Sequence, residues 1–159
     1  MKKSTSCQCQ STCQTKRCLC IKSGRACADQ CQCQNCKNPF NGMKSAEKLN
    51  DCARENIKEI VSLSAIDLDK EYQLPCGCSH APLKSLIENH ICHGCEEGYY
   101  YSFCLGDVMD TNSMWHCNAC GTCREDSEWH CKKCNTCTYG LTLKCENCGK
   151  KSPYAPRGL

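Results

Sequence analysis

The chain has 159 residues, of which 23 are cysteine, and its 20 Lys and Arg against 17 Asp and Glu leave a formal charge of +3. With only 6% aromatic residues, a large hydrophobic core is excluded as the main source of stability, and cysteine chemistry must supply what is missing. No stretch approaches the ~20 apolar residues of a membrane span. The opening MKKSTSCQCQ lacks the apolar run of a secretory signal, and the odd cysteine count falls in C-x-C and C-x2-C spacings, so the reading is metal sites in a reducing compartment rather than a disulfide scaffold.

The first element is a run of nine cysteines: Cys7, Cys9, Cys13, Cys18, Cys20, Cys27, Cys31, Cys33 and Cys36. Tetrahedral zinc takes four ligands, so three ions need twelve ligand positions. Six terminal sulfurs and three that each bridge two ions fill all twelve. Between Ser4 and Lys37 the only sizeable aliphatic residues are Leu19 and Ile21, so metal must act as the core of this segment. The run CQCQSTCQTKRCLCIKSGRACADQCQCQNCKNP resembles a CXC domain, both the tesmin/TSO1-like kind and the single domain of male-specific-lethal-type ubiquitin ligases. The resemblance implies a three-zinc cluster that contacts DNA. The gap from Cys9 to Cys13 is one residue shorter than in the tesmin-like pattern, there is one copy rather than two, and Arg17 stands where tesmin-like domains carry a DNA-contacting Tyr.

Charge concentrates here as well. Residues 1–44 carry Lys2, Lys3, Lys16, Arg17, Lys22, Arg25, Lys37 and Lys44 against Asp29 alone, whereas the remainder has a small acidic excess. Nine thiolates and three Zn²⁺ would lower the segment from a formal +7 to about +4. The basic face is therefore expected in the cluster segment alone, which suits phosphate contact. Arg17 and Arg25 are candidates for reading a groove, and Lys16, Lys22 and Lys37 for holding phosphates. Gly24 is expected to make the turn between Cys20 and Cys27.

Asn38, Pro39, Asn41 and Gly42 then punctuate the chain. From about Ser45 to Leu63, Ala46, Leu49, Cys52, Ala53, Ile57, Ile60 and Val61 recur at helical spacing, predicting one amphipathic helix. It would serve as a connector, or as a dimerisation or docking face. Cys52 has no Cys or His near it in sequence and reads as a small apolar residue on the buried side.

A second cysteine region opens with Cys76, Cys78 and His80 and continues through Cys92, Cys95 and Cys104. Four of these thiolates, or three with His80, would hold one zinc. Pro82, Leu83, Leu86, Ile87 and Ile91 predict a short helix between them, and Tyr99, Tyr100, Tyr101 and Phe103 a strand. His90 and His93 remain ambiguous. The opening C-x-C and the missing C-x-H centre exclude a RING.

The third region repeats W-H-C-x2-C-x2-C at Trp115 and Trp129, fourteen residues apart, predicting two copies of a small zinc turn. Cys134, Cys137, Cys145 and Cys148 also have zinc-ribbon spacing, with Tyr139 to Leu143 as the hairpin strand. That would leave His116, Cys117, Cys120, Cys123, His130 and Cys131 for further sites, in a pairing the spacing leaves open. About 35 residues here resemble the CTCHY finger of CHY-type RING ubiquitin ligases, through His116, Cys117, Cys120, Gly121, Cys123, Arg124, His130, Cys131, Cys134, Cys137 and Cys145. That resemblance implies a zinc fold with a protein-binding surface, and carries over no ligase activity, since neither the RING nor the CHY finger is evident.

Nearly every candidate nucleophile or base is a Cys or His claimed by metal, and no H-E-x-x-H or phosphate-binding glycine loop occurs, so no enzyme is expected. The expected fold is a small zinc-stabilised protein with little regular secondary structure. It comprises a CXC cluster (1–42), a helix and linker (43–73), a zinc-knuckle region (74–114), a double zinc turn or ribbon (115–152) and a tail (153–159). Three zincs are expected in the cluster and three to four in residues 76–148. The expected function is nuclear: DNA binding by the cluster in transcription or chromatin regulation, with the C-terminal array binding protein or nucleic acid. The alternatives are a ubiquitin-ligase-related adaptor without its own RING, and a metallothionein-like metal store.

Overall fold

The computed structural model describes residues 6–10, 12–13, 17–23, 25–42 and 48–156. Lys16, Gly24 and the start of the predicted long helix (45–47) lie outside them. Among the described residues there are five helices of four or five residues, one 3-10 turn and nine short strands, with no closed sheet. Among the described residues no helix is long and apolar enough to cross a membrane.

The N-terminal segment winds around its own sulfurs. Its one helical turn, α1 (Leu19–Lys22), begins at Cys18, and Cys20 within it is buried. Cys7, Cys13, Cys18 and Cys20 form the centre, with Cys9, Cys27, Cys31, Cys33 and Cys36 around them. A 3-10 turn (Pro39–Gly42) follows. Phe40 from that turn and Ile21 from α1 pack into the next part of the chain, joining Leu49, Ala53, Ile57, Ile60, Leu83 and Ile87. The cysteine-rich segment is thereby fastened to an apolar cluster by two side chains.

The single helix predicted from Ser45 is instead two pieces, α2 (Asp51–Glu55) and α3 (Ile57–Ile60). Asn56 separates them. Its backbone leaves the helical region (φ −102°, ψ 26°), and its N–H and its side-chain amide both donate to the Cys52 carbonyl. A side chain that competes for a helix carbonyl in this way ends the ladder. A third short helix, α4 (Ala65–Asp69), starts with a Ser64–Asp67 capping box.

Strands β1 (Glu71–Gln73) and β2 (His80–Pro82) form a hairpin, and Pro82 leads into α5 (Leu83–Leu86), as the leucine spacing predicts. Ile91 falls in β3 (His90–Ile91) rather than in that helix. The aromatic run forms β4 (Gly98–Ser102), the centre of an antiparallel sheet between β3 and β5 (Asp107–Asp110). The remaining strands form two separate hairpins, β6 (Met114–Cys117) with β7 (Thr122–Glu125) and β8 (Glu128–Cys131) with β9 (Thr136–Tyr139). The two predicted repeat units are these two hairpins. Trp115 and Trp129 occupy equivalent places, each indole N–H donating to a carbonyl at the far end of its own hairpin, Glu125 at 2.9 Å and Gly140 at 3.1 Å. Residues Tyr139 to Leu143, expected as a strand, are the end of β9 and the turn after it.

Asn50 links α2 to α5. Its side chain accepts from Ala53 N–H at 2.8 Å and donates to the carbonyls of Leu86 and Ile87 at 3.2 and 2.9 Å, while Asn50 itself is buried. Asn50→Ala removes a helix cap worth ~1 kcal/mol and the side-chain donor to the Leu86 carbonyl for a further ~1 kcal/mol, while Ile87 keeps the Asn50 backbone N–H. Thermal unfolding of the metal-loaded protein should show a clear fall in midpoint with metal content unchanged.

Candidate metal centres

None of the 23 cysteines is disulfide-bonded. They stand instead in groups whose ligand atoms lie within 4.8 Å of one another. In the N-terminal segment these are Cys7–Cys20–Cys27–Cys31, Cys7–Cys13–Cys18–Cys27 and Cys13–Cys27–Cys33–Cys36. Cys9, the remaining sulfur, lies against Cys13, Cys18 and Cys7. Placing Cys9 in the second group in place of Cys27 gives each centre four sulfurs, with Cys7, Cys13 and Cys27 each shared by two centres and the other six each in one.

Further along the chain, Cys76, Cys78, Cys92 and Cys95 form one group, and Cys52, Cys104, His116 and Cys123 another. Cys117 and Cys120 face His130 Nδ1 at 3.5 and 3.4 Å, and Cys137 lies 3.6 Å from Cys120. Cys131 meets Cys148 at 3.7 Å, and Cys134 meets Cys145 at 3.8 Å. Every cysteine of the chain and two of its histidines therefore fall into a four-donor arrangement.

The distances test whether a tetrahedral ion fits. Four sulfurs ~2.3 Å from a central zinc lie ~3.8 Å from each other, and a sulfur and a His nitrogen ~3.6 Å apart. The observed sulfur pairs run from 3.6 to 3.9 Å, including Cys20–Cys31, Cys7–Cys27, Cys52–Cys104 and Cys76–Cys92. His116 Nδ1 lies 3.5 Å from Cys123 and 3.7 Å from Cys104. Electrostatics points the same way. Burial and the neighbouring sulfurs push Cys13 and Cys27 far above the ordinary thiol range, and Cys123 followed by burial does the same to Cys52. Such crowded thiols cannot all ionise unless a cation sits among them, and a bound divalent ion reverses that balance. The residues fit the ion.

Local structure supplies further donors. After four of the C-x2-C pairs the chain turns through a residue with positive φ: Glu96 (61°), Gly121 (66°), Asn135 (52°) and Gly149 (67°). At Glu96, Gly121 and Gly149 that residue's N–H closes the turn on the carbonyl of the first cysteine. Backbone N–H groups then reach the first sulfur. The Ser79 hydroxyl, with the N–H groups of Cys95 and Gly94, holds Cys92 down at about 6. Burial works against Cys145, but the N–H groups of Cys148 and Asn147 outweigh it and bring that thiol to about 6. At the Cys52 centre, Ser102 donates to Cys123 at 3.1 Å and Tyr100 at 3.5 Å. In the N-terminal cluster the buried Asn38 donates to the shared Cys27 at 3.2 Å and to the Arg25 carbonyl at 2.9 Å. Gly94 has no room for a side chain, since a Cβ there would lie 2.9 Å from Cys78 Cβ.

Several sequence expectations are corrected. Cys52 is a member of a four-donor group, not an apolar filler; its partners lie 52, 64 and 71 positions further along, beyond the reach of any spacing rule. Cys104 belongs with Cys52 rather than with Cys92 and Cys95. His80 is exposed on β2 opposite Gln73, and four sulfurs complete the Cys76 group without it. His90 lies in β3 opposite Tyr99, and His93 is exposed in the turn. The ribbon grouping Cys134–Cys137–Cys145–Cys148 is replaced: Cys137 lies directly across from His130 in the hairpin register and goes with it, and Cys131 takes the vacated position. Asn38, Ser79 and Ser102 were missed as sulfur-contacting residues. Only Asn38, two residues after the last cluster cysteine, carried any signal, as punctuation.

Of the expected DNA-contacting side chains, all but Lys16 are among the described residues. Arg17, Lys22 and Lys37 are exposed and Arg25 is half-buried. Backbone bonds fix three of them: Lys22 N–H to the Cys18 carbonyl, Arg25 N–H to Cys20 and Lys37 N–H to Thr12.

These features define a small cysteine-rich protein, zinc-finger-like, built of short helices and strands around groups that could hold metal. No protein-family model matches the chain, and no curated protein or solved structure is similar to it.

Two measurements check the grouping. Cys52→Ala should lower the metal-to-protein ratio by one equivalent, and His80→Ala should leave it unchanged, in elemental analysis of the purified protein. Acid should release metal in a defined sense. Cys92 and Cys145 have folded pKa values of about 6, below the unfolded thiol range, so their contribution is complete above that range and lost as pH falls through about 6. Bound metal moves this loss to lower pH still. A chromophoric chelator should register release on acidification and none on raising the pH from 7 to 9.

Proposed function

We propose that the protein is a non-enzymatic, seven-zinc, nuclear DNA-binding protein acting in transcription or chromatin regulation. The observation that carries the zinc assignment is that the donor sets are sulfur with an occasional imidazole at tetrahedral spacing, a set that suits zinc and leaves no oxygen-rich position for harder ions. Three ions would share the nine N-terminal sulfurs, and one each would sit at the Cys76, Cys52, Cys117 and Cys131 groups. When bound, zinc supplies a structural cross-link between distant segments and the charge that lets the thiolates ionise. Each of these groups is already filled by four protein donors, which leaves no position for a catalytic water and supports a structural role.

DNA contact is assigned to the N-terminal cluster. Support comes from the resemblance to CXC domains and from Arg17, Lys22 and Lys37, exposed on a small rigid body with Asp29 as the only acid in residues 1–44. Side chains mounted on a metal-locked backbone lose little further freedom when they meet phosphate. A cluster at about +4 would release counterions on binding, so affinity must fall with salt.

The test is binding of the full zinc-loaded chain to random duplex DNA across a salt series. The combined Arg17→Ala, Lys22→Ala and Lys37→Ala variant should weaken binding at least tenfold near 0.1 M salt and reduce the slope of log affinity against log salt by about 2 to 3, with metal content unchanged. Binding and slope equal to the unaltered protein would remove the cluster from the DNA interface.

A further inference from the structure

The two C-terminal hairpins differ in charge although they share a backbone. Where the first repeat has Asn118 and Ala119 between its cysteines, the second has Lys132 and Lys133. Where the first has Glu125 and Asp126 after its last cysteine, the second has Tyr139 and Gly140. The knuckle that completes the last metal group is preceded by Lys144 and followed by Lys150 and Lys151. Five lysines thus lie within three residues of a ligand of the Cys131–Cys134–Cys145–Cys148 group, and Glu146 is the only acid among residues 129–156.

All five are exposed, and none makes an ion pair among the described residues. Lys144 and Lys151 are direct cross-strand partners in an isolated antiparallel bridge. Like charges directly opposite one another destabilise a pairing, so this arrangement costs the free protein stability that a bound polyanion would return. Four thiolates and one Zn²⁺ would subtract only two charges from this end, which stays basic. The acidic excess of residues 45–159 as a whole conceals this, and the expectation that the basic face belongs to the N-terminal cluster alone does not hold at this tip.

Aromatic surface accompanies the charge. Tyr154, three residues after Lys151, is 62% exposed and set beside the Leu141 turn through Ser152, whose hydroxyl accepts from Tyr154 N–H and donates to the Leu141 carbonyl, whereas the exposed Tyr139 stands across the hairpin from Glu128. An exposed tyrosine close in sequence to unpaired lysines fits a base and its phosphates together.

We propose that the Cys131–Cys134–Cys145–Cys148 tip is a second nucleic-acid-binding surface, holding the phosphate backbone with Lys132, Lys133, Lys144, Lys150 and Lys151. This rests on the nucleic-acid reading above but uses none of the same residues. The experiment takes the full zinc-loaded chain with all five lysines changed to Gln. Binding to a random duplex and to its separated strand is measured across a salt series, with poly-glutamate as competitor. The expected result is a salt slope smaller by about 3 to 4, at least tenfold weaker binding near 0.1 M salt, unchanged metal content, and poor competition by poly-glutamate. An unchanged slope and affinity would overturn the proposal. So would poly-glutamate competing as well as the duplex, which would assign the tip to acidic proteins. The companion variant at Arg17, Lys22 and Lys37 separates the two readings. Loss only in the five-lysine variant removes the N-terminal cluster from the interface and keeps this surface; loss only in the companion does the reverse.

Discussion

Sulfur held against sulfur at 3.6 to 3.9 Å is the contact on which the rest of this molecule depends. Buried thiols at that separation repel one another once ionised, so they can all be thiolates only around a cation. A chain with so few apolar residues cannot fold by burial alone, and each four-donor group takes the place of a small core. Folding and metal binding then form one equilibrium, and neither the hairpins nor the N-terminal winding has an obvious source of stability without it. The apolar clusters that exist are auxiliary. Phe40 and Ile21 seat the N-terminal cluster on α2, α3 and α5, while Leu74, Leu86, Tyr99 and Val108 pack beside Cys92.

The groups are coupled by their ligands. In β6, His116 and Cys117 are neighbours, and adjacent residues of a strand point to opposite faces. His116 and its cross-strand partner Cys123 face back toward Cys52 and Cys104, whereas Cys117 and the turn residue Cys120 face forward toward His130 and Cys137. The second hairpin repeats the division: His130 and Cys137 look back, and Cys131 and Cys134 look forward to Cys145 and Cys148. Each hairpin is thus a link between two centres rather than the owner of one. Cys52 and Cys104 begin this series, which ties α2 and the β4–β5 hairpin into the C-terminal array. The dispersion of ligands is also an argument against a simple metal store, since a store has no need to bind segments 71 residues apart into one centre.

Charge follows the same chain of centres. The N-terminal cluster and the last group carry exposed cations, and the sequence between them holds most of the acids, including Glu125, Asp126 and Glu128 around the first hairpin. A molecule with basic ends and an acidic middle would be oriented by a polyanion.

Much of this was legible in the sequence, because ligand groups for a metal carry short local spacings. The nine-cysteine run, each C-x2-C knuckle, the fourteen-residue repeat, the aromatic strand and the short helix after Pro82 all follow from neighbours a few residues apart. What the sequence could not determine is which local pairs meet. A knuckle supplies two ligands, and the other two come from wherever the fold brings them: Cys52 from a helix that reads as merely amphipathic, Cys104 from beyond β4, Cys137 from across a hairpin. His80 had the right residue type at a plausible spacing, but the pleat left it facing solvent. The sequence by itself determined that the cysteines fall in the spacings of metal sites and where the knuckles lie. The tertiary structure alone decided the partition into centres, because strand pleating sends adjacent ligands to opposite faces and only the register of each hairpin fixes which centre each face meets.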